Sequence, residues 1–124
     1  MVVMTGIGLD VVEIPRFRAI VERRPAILLR LFSPAERALL AERHDPVPSY
    51  AARFAAKEAV MKALGVGIGA VDFADIEVLR TSTGAPELKL GGRAAILAEK
   101  RNVKDLHVSL SHSATIAQAI VALS

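Results

Sequence analysis

The chain opens on an apolar stretch, Val2 to Leu9, that carries two glycines and stops at Asp10; this predicts a buried strand ending in an acid. Ile14, Phe17 and Val21 then recur at helical spacing behind Pro15, a residue suited to a first helical turn, while Arg16, Arg18, Arg23 and Arg24 fill the other positions. Ser33-Pro34-Ala35-Glu36 predicts a second helix start: a capping serine, proline at the first position and glutamate three residues after the cap. That helix is expected to run to about Arg43, ahead of a loop at Asp45-Pro46-Val47-Pro48. The longest helical pattern follows, capped by Ser49, running from Tyr50 to Leu64 and stopped by Gly65.

Beyond it Gly65, Gly67 and Gly69 mark a flexible segment. Ile76 to Arg80 reads as a strand, Thr83-Gly84-Ala85-Pro86 turns it back, and Glu87 to Leu90 pairs with it. Arg93 to Arg101 is expected to be a short helix. Leu106, Val108 and Leu110 alternate with His107, Ser109 and Ser111, as in a half-buried strand, and Thr115 to Leu123 predicts a final apolar strand. Strands and helices mix without a regular βαβ period. The expected fold class is therefore α+β, a mainly antiparallel sheet packed against one long helix and shorter ones.

The 124 residues fit a single domain spanning 1–124. There is no cysteine, which removes disulfides and thiolate metal sites and suits a reducing cytoplasm. No apolar run approaches the roughly 20 residues of a membrane span. The net charge of +3 favours an anionic partner, and with four Phe, one Tyr and no Trp the stacking surfaces expected of a nucleic-acid binder are scarce. A phosphorylated small molecule or an acidic protein fits better.

Charged residues on the long helix narrow the chemistry. Glu58 and Lys62 stand four apart and share a face, either as a surface ion pair or as a cleft-facing carboxylate and ammonium. Their neighbours are mostly Ala, Val, Met and Leu, so the helix is expected to pack closely and turn its few charges into a cleft. A carboxylate and an ammonium one turn apart suit magnesium plus phosphate. Asp10 reads either as a helix cap ahead of Pro15 or as a ligand at a sheet edge. Gly65-Val66-Gly67-Ile68-Gly69 lacks the ending of a phosphate loop; it is either a helix stop and turn or a place where backbone approaches a ligand. Ser109, Ser111, His112 and Ser113 form a polar strand end, either a plain surface histidine among serines or a phosphate or ribose contact; a nucleophile and base fit poorly, because neighbours on a strand face opposite ways.

Four segments together resemble one family: Gly6-Ile7-Gly8-Leu9-Asp10-Val11-Val12-Glu13-Ile14, Phe32-Ser33-Pro34-Ala35-Glu36, Arg53-Phe54-Ala55-Ala56-Lys57-Glu58-Ala59-Val60-Met61-Lys62-Ala63-Leu64-Gly65 and Val108-Ser109-Leu110-Ser111-His112-Ser113. They look like the holo-[acyl-carrier-protein] synthases, the short bacterial-type 4′-phosphopantetheinyl transferases, and the likeness spans almost the whole chain. The resemblance implies transfer of 4′-phosphopantetheine from coenzyme A to a serine of acyl carrier protein, with release of adenosine 3′,5′-bisphosphate, in support of fatty acid biosynthesis. It implies Asp10 and Glu58 as magnesium ligands and Lys62 at the diphosphate. Arg53, Gly65, His112 and Ser113 match coenzyme contacts, the first and the last two at the 3′-phosphate end. Arg16, with Arg23 or Arg24, matches the surface that docks an acidic carrier helix. The family's homotrimer, with active sites between subunits, is implied too, so that Arg53 and His112 could come from different chains. Glu58 acting through water is the first reading for the base and His112 the second.

Two departures stand out. The basic loop residue that helps bind the 3′-phosphate falls in Arg43-His44-Asp45-Pro46, which leaves its identity open. Where some members carry aspartate after the motif histidine, this chain has Ser113. A coenzyme-binding module without catalysis would need Arg53, Lys62 and His112 but not both carboxylates; a nucleic-acid-binding domain would need the missing aromatics.

Overall fold

The structure, a computed structural model, describes residues 3–124. Strand β1 (Gly6–Glu13) leads into helix α1 (Ile14–Arg23); α2 (Ile27–Leu31), α3 (Pro34–Leu40) and the long α4 (Val47–Leu64) follow. A 3-10 turn (Phe73–Asp75) precedes β2 (Ile76–Arg80) and β3 (Pro86–Leu90), and α5 (Gly92–Lys100), β4 (Leu106–His112) and β5 (Ile116–Leu123) complete the chain. Strands β1, β5 and β4 form one antiparallel sheet in that order, and β2 and β3 a separate antiparallel hairpin. The α+β expectation therefore holds, with the antiparallel strands divided between two sheets.

Helix α4 is the axis of the molecule. Thirteen of its 18 residues are buried, so it is enclosed on nearly every side. β1 lies against it at glycine distance: a Cβ on Gly6 would collide with the carbonyl of Ala63, and one on Gly8 with the carbonyl of Ala59. Small residues on both partners let the two backbones approach. The next inward position on β1 is Asp10, which this approach delivers to the flank of α4.

Several boundaries differ from the sequence expectation. Val2 lies outside the described residues. β1 does not stop at Asp10; it continues to Glu13, because its backbone stays paired with β5 as far as Glu13 opposite Ile116. Asp10 is thus mid-strand on a sheet edge, and it caps no helix: the N-cap of α1 is Glu13, without a side-chain bond. α3 ends at Leu40, short of Arg43. α4 starts at Val47, not after Ser49, because Pro48 fits its first turn and the Tyr50 N–H already reaches the Pro46 carbonyl. Ser49 Oγ instead accepts a bond from Arg43 Nη1 at 2.8 Å. The capping box of Ser33 and Glu36 and the left-handed Gly65 at the end of α4 (φ 73°) are as expected.

The Ser33-Glu36 box also reaches beyond its own helix. Glu36 is fully buried and its Oε2 accepts the Val78 N–H at 3.0 Å, while the Val78 carbonyl accepts from Arg53 Nε at 3.1 Å. Charged side chains of α3 and α4 thereby satisfy the edge of β2 that β3 leaves open. Phe32 packs on Tyr50 with ring centroids 4.6 Å apart, holding the start of α3 against α4.

Candidate active site

The inward alternation of β1 and the turn spacing of α4 bring Asp10, Glu58 and Lys62 to one place. Lys62 Nζ lies 3.1 Å from Asp10 Oδ1 and donates to the Leu9 carbonyl at 2.8 Å. Of the two readings of Glu58 and Lys62, the surface ion pair is not formed; the ammonium crosses to the strand. Glu58 is half-buried, and its carboxyl is raised above the ordinary value, first by burial and then by the nearby Asp10 carboxylate, with Lys62 opposing.

Two neighbouring carboxylates flanked by one lysine form a donor set for a hard divalent cation. Among the described residues no group of three or more Asp, Glu, His or Cys gathers. A cation here would complete its shell with waters and substrate oxygens, which fits magnesium and not an all-protein calcium cage.

Glu58 also lines a cleft of about 320 Å³ between β1, α1 and α4, together with Glu13, Arg16, Phe17, Ile20 and Phe54. Arg16 and Glu58 thus line one cleft from different helices. Arg23 and Arg24, both exposed at the end of α1, line none of this cleft.

A second cavity of about 210 Å³ lies on another flank of α4, where Arg43, Arg53, Arg80 and His112 converge with Ser49 and Pro86. Arg53 and His112 meet there within one chain. Arg53 is buried and its Nε and Nη1 are committed to the carbonyls of Val78 and Ser49; burial lowers its pKa, opposed by Glu36. Arg43 enters this cavity from the loop whose basic residue the sequence left open. Arg80, at the end of β2, joins it without any signal in the sequence. The convergence of cationic side chains suits a phosphate dianion.

Two expected coenzyme contacts fall elsewhere. Ser113 Oγ accepts the N–H groups of Thr115 (3.4 Å) and Ile116 (3.3 Å), which shapes the β4–β5 turn. Gly65 ends α4 close to the guanidinium of Arg101 and lines neither cavity.

The sequence also missed Lys57, which does not face a cleft at all. It is fully buried and reaches Glu36 Oε1 at 2.7 Å, the Phe73 carbonyl at 2.9 Å and the Ile76 carbonyl, with its Nζ 5.1 Å from the centre of the Phe32 ring. Burial pulls its pKa down and Glu36 pushes back. Lys57 follows Arg53 by one turn and so shares its flank, whereas Glu58 and Lys62 share the flank facing β1. The adjacent pair Lys57-Glu58 on an alanine-rich helix was the available signal: at roughly 100° per residue, two neighbouring charges leave the helix in different directions.

Comparison with known proteins shows the family and the fold. A family model described as the 4′-phosphopantetheinyl transferase superfamily matches residues 6–121. A holo-[acyl-carrier-protein] synthase of Moorella thermoacetica is 47% identical over 117 residues, covering 94% of this chain and 91% of the relative. The crystal structure of holo-[acyl-carrier-protein] synthase from Neisseria meningitidis superposes with a TM-score of 0.91 at 31% identity, covering 98% of this chain and 99% of that one. The Helicobacter pylori synthase in complex with coenzyme A superposes with a TM-score of 0.81 at 35% identity, covering 95% and 99%. The chain belongs to the 4′-phosphopantetheinyl transferase superfamily, among its holo-[acyl-carrier-protein] synthases.

Proposed function

We propose that this chain, acting as one domain over residues 1–124, transfers 4′-phosphopantetheine from coenzyme A to a serine of apo acyl carrier protein in a magnesium-dependent reaction that releases adenosine 3′,5′-bisphosphate. The observation that carries this reading is the meeting of Asp10, Glu58 and Lys62 beside the cleft that Arg16 lines. Asp10 and Glu58 would hold the magnesium. When bound, that ion neutralises charge on the diphosphate.

The residues of the chain do the rest. Lys62, exposed beside Asp10, turns from the Leu9 carbonyl to the diphosphate and stabilises the oxygen that leaves. The carrier's serine oxygen bonds to the phosphorus that bears pantetheine, the bridging P–O bond breaks, and the electron pair leaves on the nucleotide. Glu58, whose burial raises its affinity for a proton, takes the serine proton through a water. His112 is the weaker candidate for that base, since it lines the other cavity with Arg53. There, with Arg43 in the role of the basic loop residue, they receive the 3′-phosphate. Gly65 and Ser113 line neither cavity and their N–H groups are bonded to the carbonyls of Lys62 and Ile116, but the Ser113 hydroxyl, which only accepts within the chain, keeps a proton to donate to the coenzyme. Arg16, with Arg23 and Arg24 beyond it on α1, attracts the acidic carrier, an effect that salt weakens.

The two halves of the site sit on different flanks of α4: Arg53 and Glu58 are five residues apart, roughly 140° around the helix. A second subunit supplying one half resolves that separation. The outer face of the three-stranded sheet offers the contact, with Ile7, Leu9, Val11 and Ile120 exposed by 56%, 53%, 51% and 42%. These observations support the homotrimer with interfacial sites. Leu9→Arg should then release monomers in sedimentation; an unchanged assembly would remove this face from the interface. Among the described residues no helix is long and apolar enough to cross a membrane, and the reading places the enzyme in the cytoplasm, in fatty acid biosynthesis.

Incubation with coenzyme A, magnesium and apo carrier, followed by mass spectrometry, should show the phosphopantetheine mass on the carrier. Glu58→Gln should abolish that gain while leaving the fold intact. Full transfer by that variant overturns the metal assignment, and transfer unaffected by chelation overturns magnesium dependence.

A further inference from the structure

Lys57 spends its whole ammonium inside the protein. Its acceptors come from three separate elements: Glu36 on α3, Phe73 in the 3-10 turn and Ile76 at the start of β2. Such a tripod fixes the 3-10 turn relative to α4 in a way that apolar packing, which is non-directional, does not. Phe73, whose carbonyl is one leg, stacks its ring on Phe54 with centroids 5.5 Å apart. Phe54 in turn meets Phe17 of α1 at 5.6 Å. Phe54 and Phe17 are the aromatic wall of the cleft that also holds Glu58 and Arg16. A continuous chain of contacts thus runs from the buried ammonium to the side of the cleft opposite β1.

The partner of this tripod is itself doubly used. Glu36 Oε1 takes both Lys57 Nζ and the Ser33 N–H (3.0 Å), and Oε2 takes Val78 N–H. Ser33 Oγ donates to Glu77 Oε2 at 2.5 Å. Among the described residues every buried side-chain nitrogen or oxygen has a partner, so each bond of this network is met.

We propose that Lys57 is a positioning residue for the transfer step, holding the Phe73–Phe54–Phe17 wall so that a bound carrier presents its serine to the Glu58 side of the cleft. The proposal rests on the assignment of that cleft to carrier and diphosphate. Lys57 lines neither cavity, although Glu36 and Arg53 meet at Val78, so coenzyme binding is read beside transfer. A lysine that only stabilised the fold would affect both cavities alike.

The chain has no cysteine, so Lys57→Cys introduces a single thiol. Alkylation in denaturant and refolding then installs either an aminoethyl arm, which restores an ammonium at nearly lysine length, or a propyl arm, which restores bulk alone. Thermal unfolding of each form sets an assay temperature below its transition. The propyl form should bind coenzyme A within about threefold of the parent protein, while kcat/KM for apo carrier falls by about 10²-fold, the scale of a misplacement of roughly 1 Å at a reacting centre. The aminoethyl form should recover most of that loss. Transfer by the propyl form at the parent rate, or equal losses in coenzyme binding and transfer, would overturn the proposal.

Glu36→Gln tests the same link from the other end if the alkylated forms fail to refold, since the neutral amide removes the countercharge of Lys57 and, with a single acceptor oxygen, cannot serve Ser33, Lys57 and Val78 together. It should raise KM for carrier by about tenfold, and an unchanged KM overturns the proposal as well. Glu58→Gln and Arg16→Glu are run beside these variants. Full transfer by both would refute the cleft assignment itself, whereas impaired transfer by both with normal Lys57 and Glu36 variants refutes only the role of Lys57.

Discussion

Lys62 Nζ sits 3.1 Å from Asp10 Oδ1, and this contact crosses from helix to strand in preference to Glu58, one turn away on the same helix. The lysine side chain is 55% exposed, so the pair contributes at most about 1 kcal/mol to stability. Its weight falls on chemistry. Lys62→Met should leave thermal unfolding within a few degrees of the parent. It should lower kcat by about 10²-fold, as expected when a group that stabilises a leaving oxygen is lost. Steady-state transfer assays with saturating coenzyme A check this, and a kcat unchanged within twofold would remove Lys62 from the diphosphate.

Glu58 supplies a pH dependence with a definite sign. Its folded-state pKa is raised by burial and by Asp10, so the fold favours the protonated carboxyl. The stability gained from that preference is fully present below the unfolded pKa and is lost as pH rises through the raised folded value. Glu58→Gln should therefore gain stability relative to the parent on going from about pH 4 to about pH 8, in metal-free buffer. Magnesium should reverse the trend. Its stabilisation of the parent should grow over the same interval, because the cation needs the ionised carboxylate, and it should be absent in Glu58→Gln. Melting curves with magnesium and with chelator read both effects, and a magnesium shift independent of pH would dissociate Glu58 from the metal.

The approach of β1 to α4 predicts an asymmetry among glycines. Gly8→Ala puts a methyl into the Ala59 carbonyl oxygen, a backbone atom that can move only with the helix. The expected cost is about 3 kcal/mol or more, with Asp10 displaced from Lys62 as the strand lifts. Gly67→Ala meets nothing within 4 Å and should change stability by no more than about 0.5 kcal/mol. Urea unfolding of the two variants measures the contrast.

Much of this site was legible because its residues sit where periodicity and capping speak loudly. The Ser33-Glu36 box, the Gly65 stop and the common face of Glu58 and Lys62 are local features, and the structure keeps all three. What was not legible depends on partners distant in the chain. Asp10 looked like a strand end because nothing in Gly6 to Ile14 shows that backbone pairing with β5 runs on to Glu13. The i, i+4 spacing suggested a Glu58–Lys62 pair, but a carboxylate and a carbonyl on the adjoining strand offer the ammonium two acceptors at once. Lys57 looked like one more cleft-facing charge because its acceptors, on α3 and at residues 73 and 76, lie 16 to 21 positions away. The start of α4 at Val47 was hidden by Pro46 and Pro48, which read as a loop although proline suits a first turn.

Arg16 separates recognition of the carrier from recognition of the coenzyme. It lines the cleft with Glu58 from the opposite element, α1, while the cationic cavity of Arg53 and His112 lies on another flank of α4. Arg16→Glu reverses a charge where an acidic helix would approach, so KM for carrier should rise by about tenfold or more, on the order of 1.4 kcal/mol in encounter and docking. Coenzyme A binding should stay within about twofold, because Arg16 does not line the cavity assigned to the 3′-phosphate. The parent's KM for carrier should itself rise with added salt, and the variant should show a flatter dependence, having lost an attraction that salt screens. Initial-rate measurements over a salt series with each substrate varied in turn resolve these effects. A KM for carrier unchanged by the substitution, or a salt dependence as steep in the variant as in the parent, would place carrier docking on another surface.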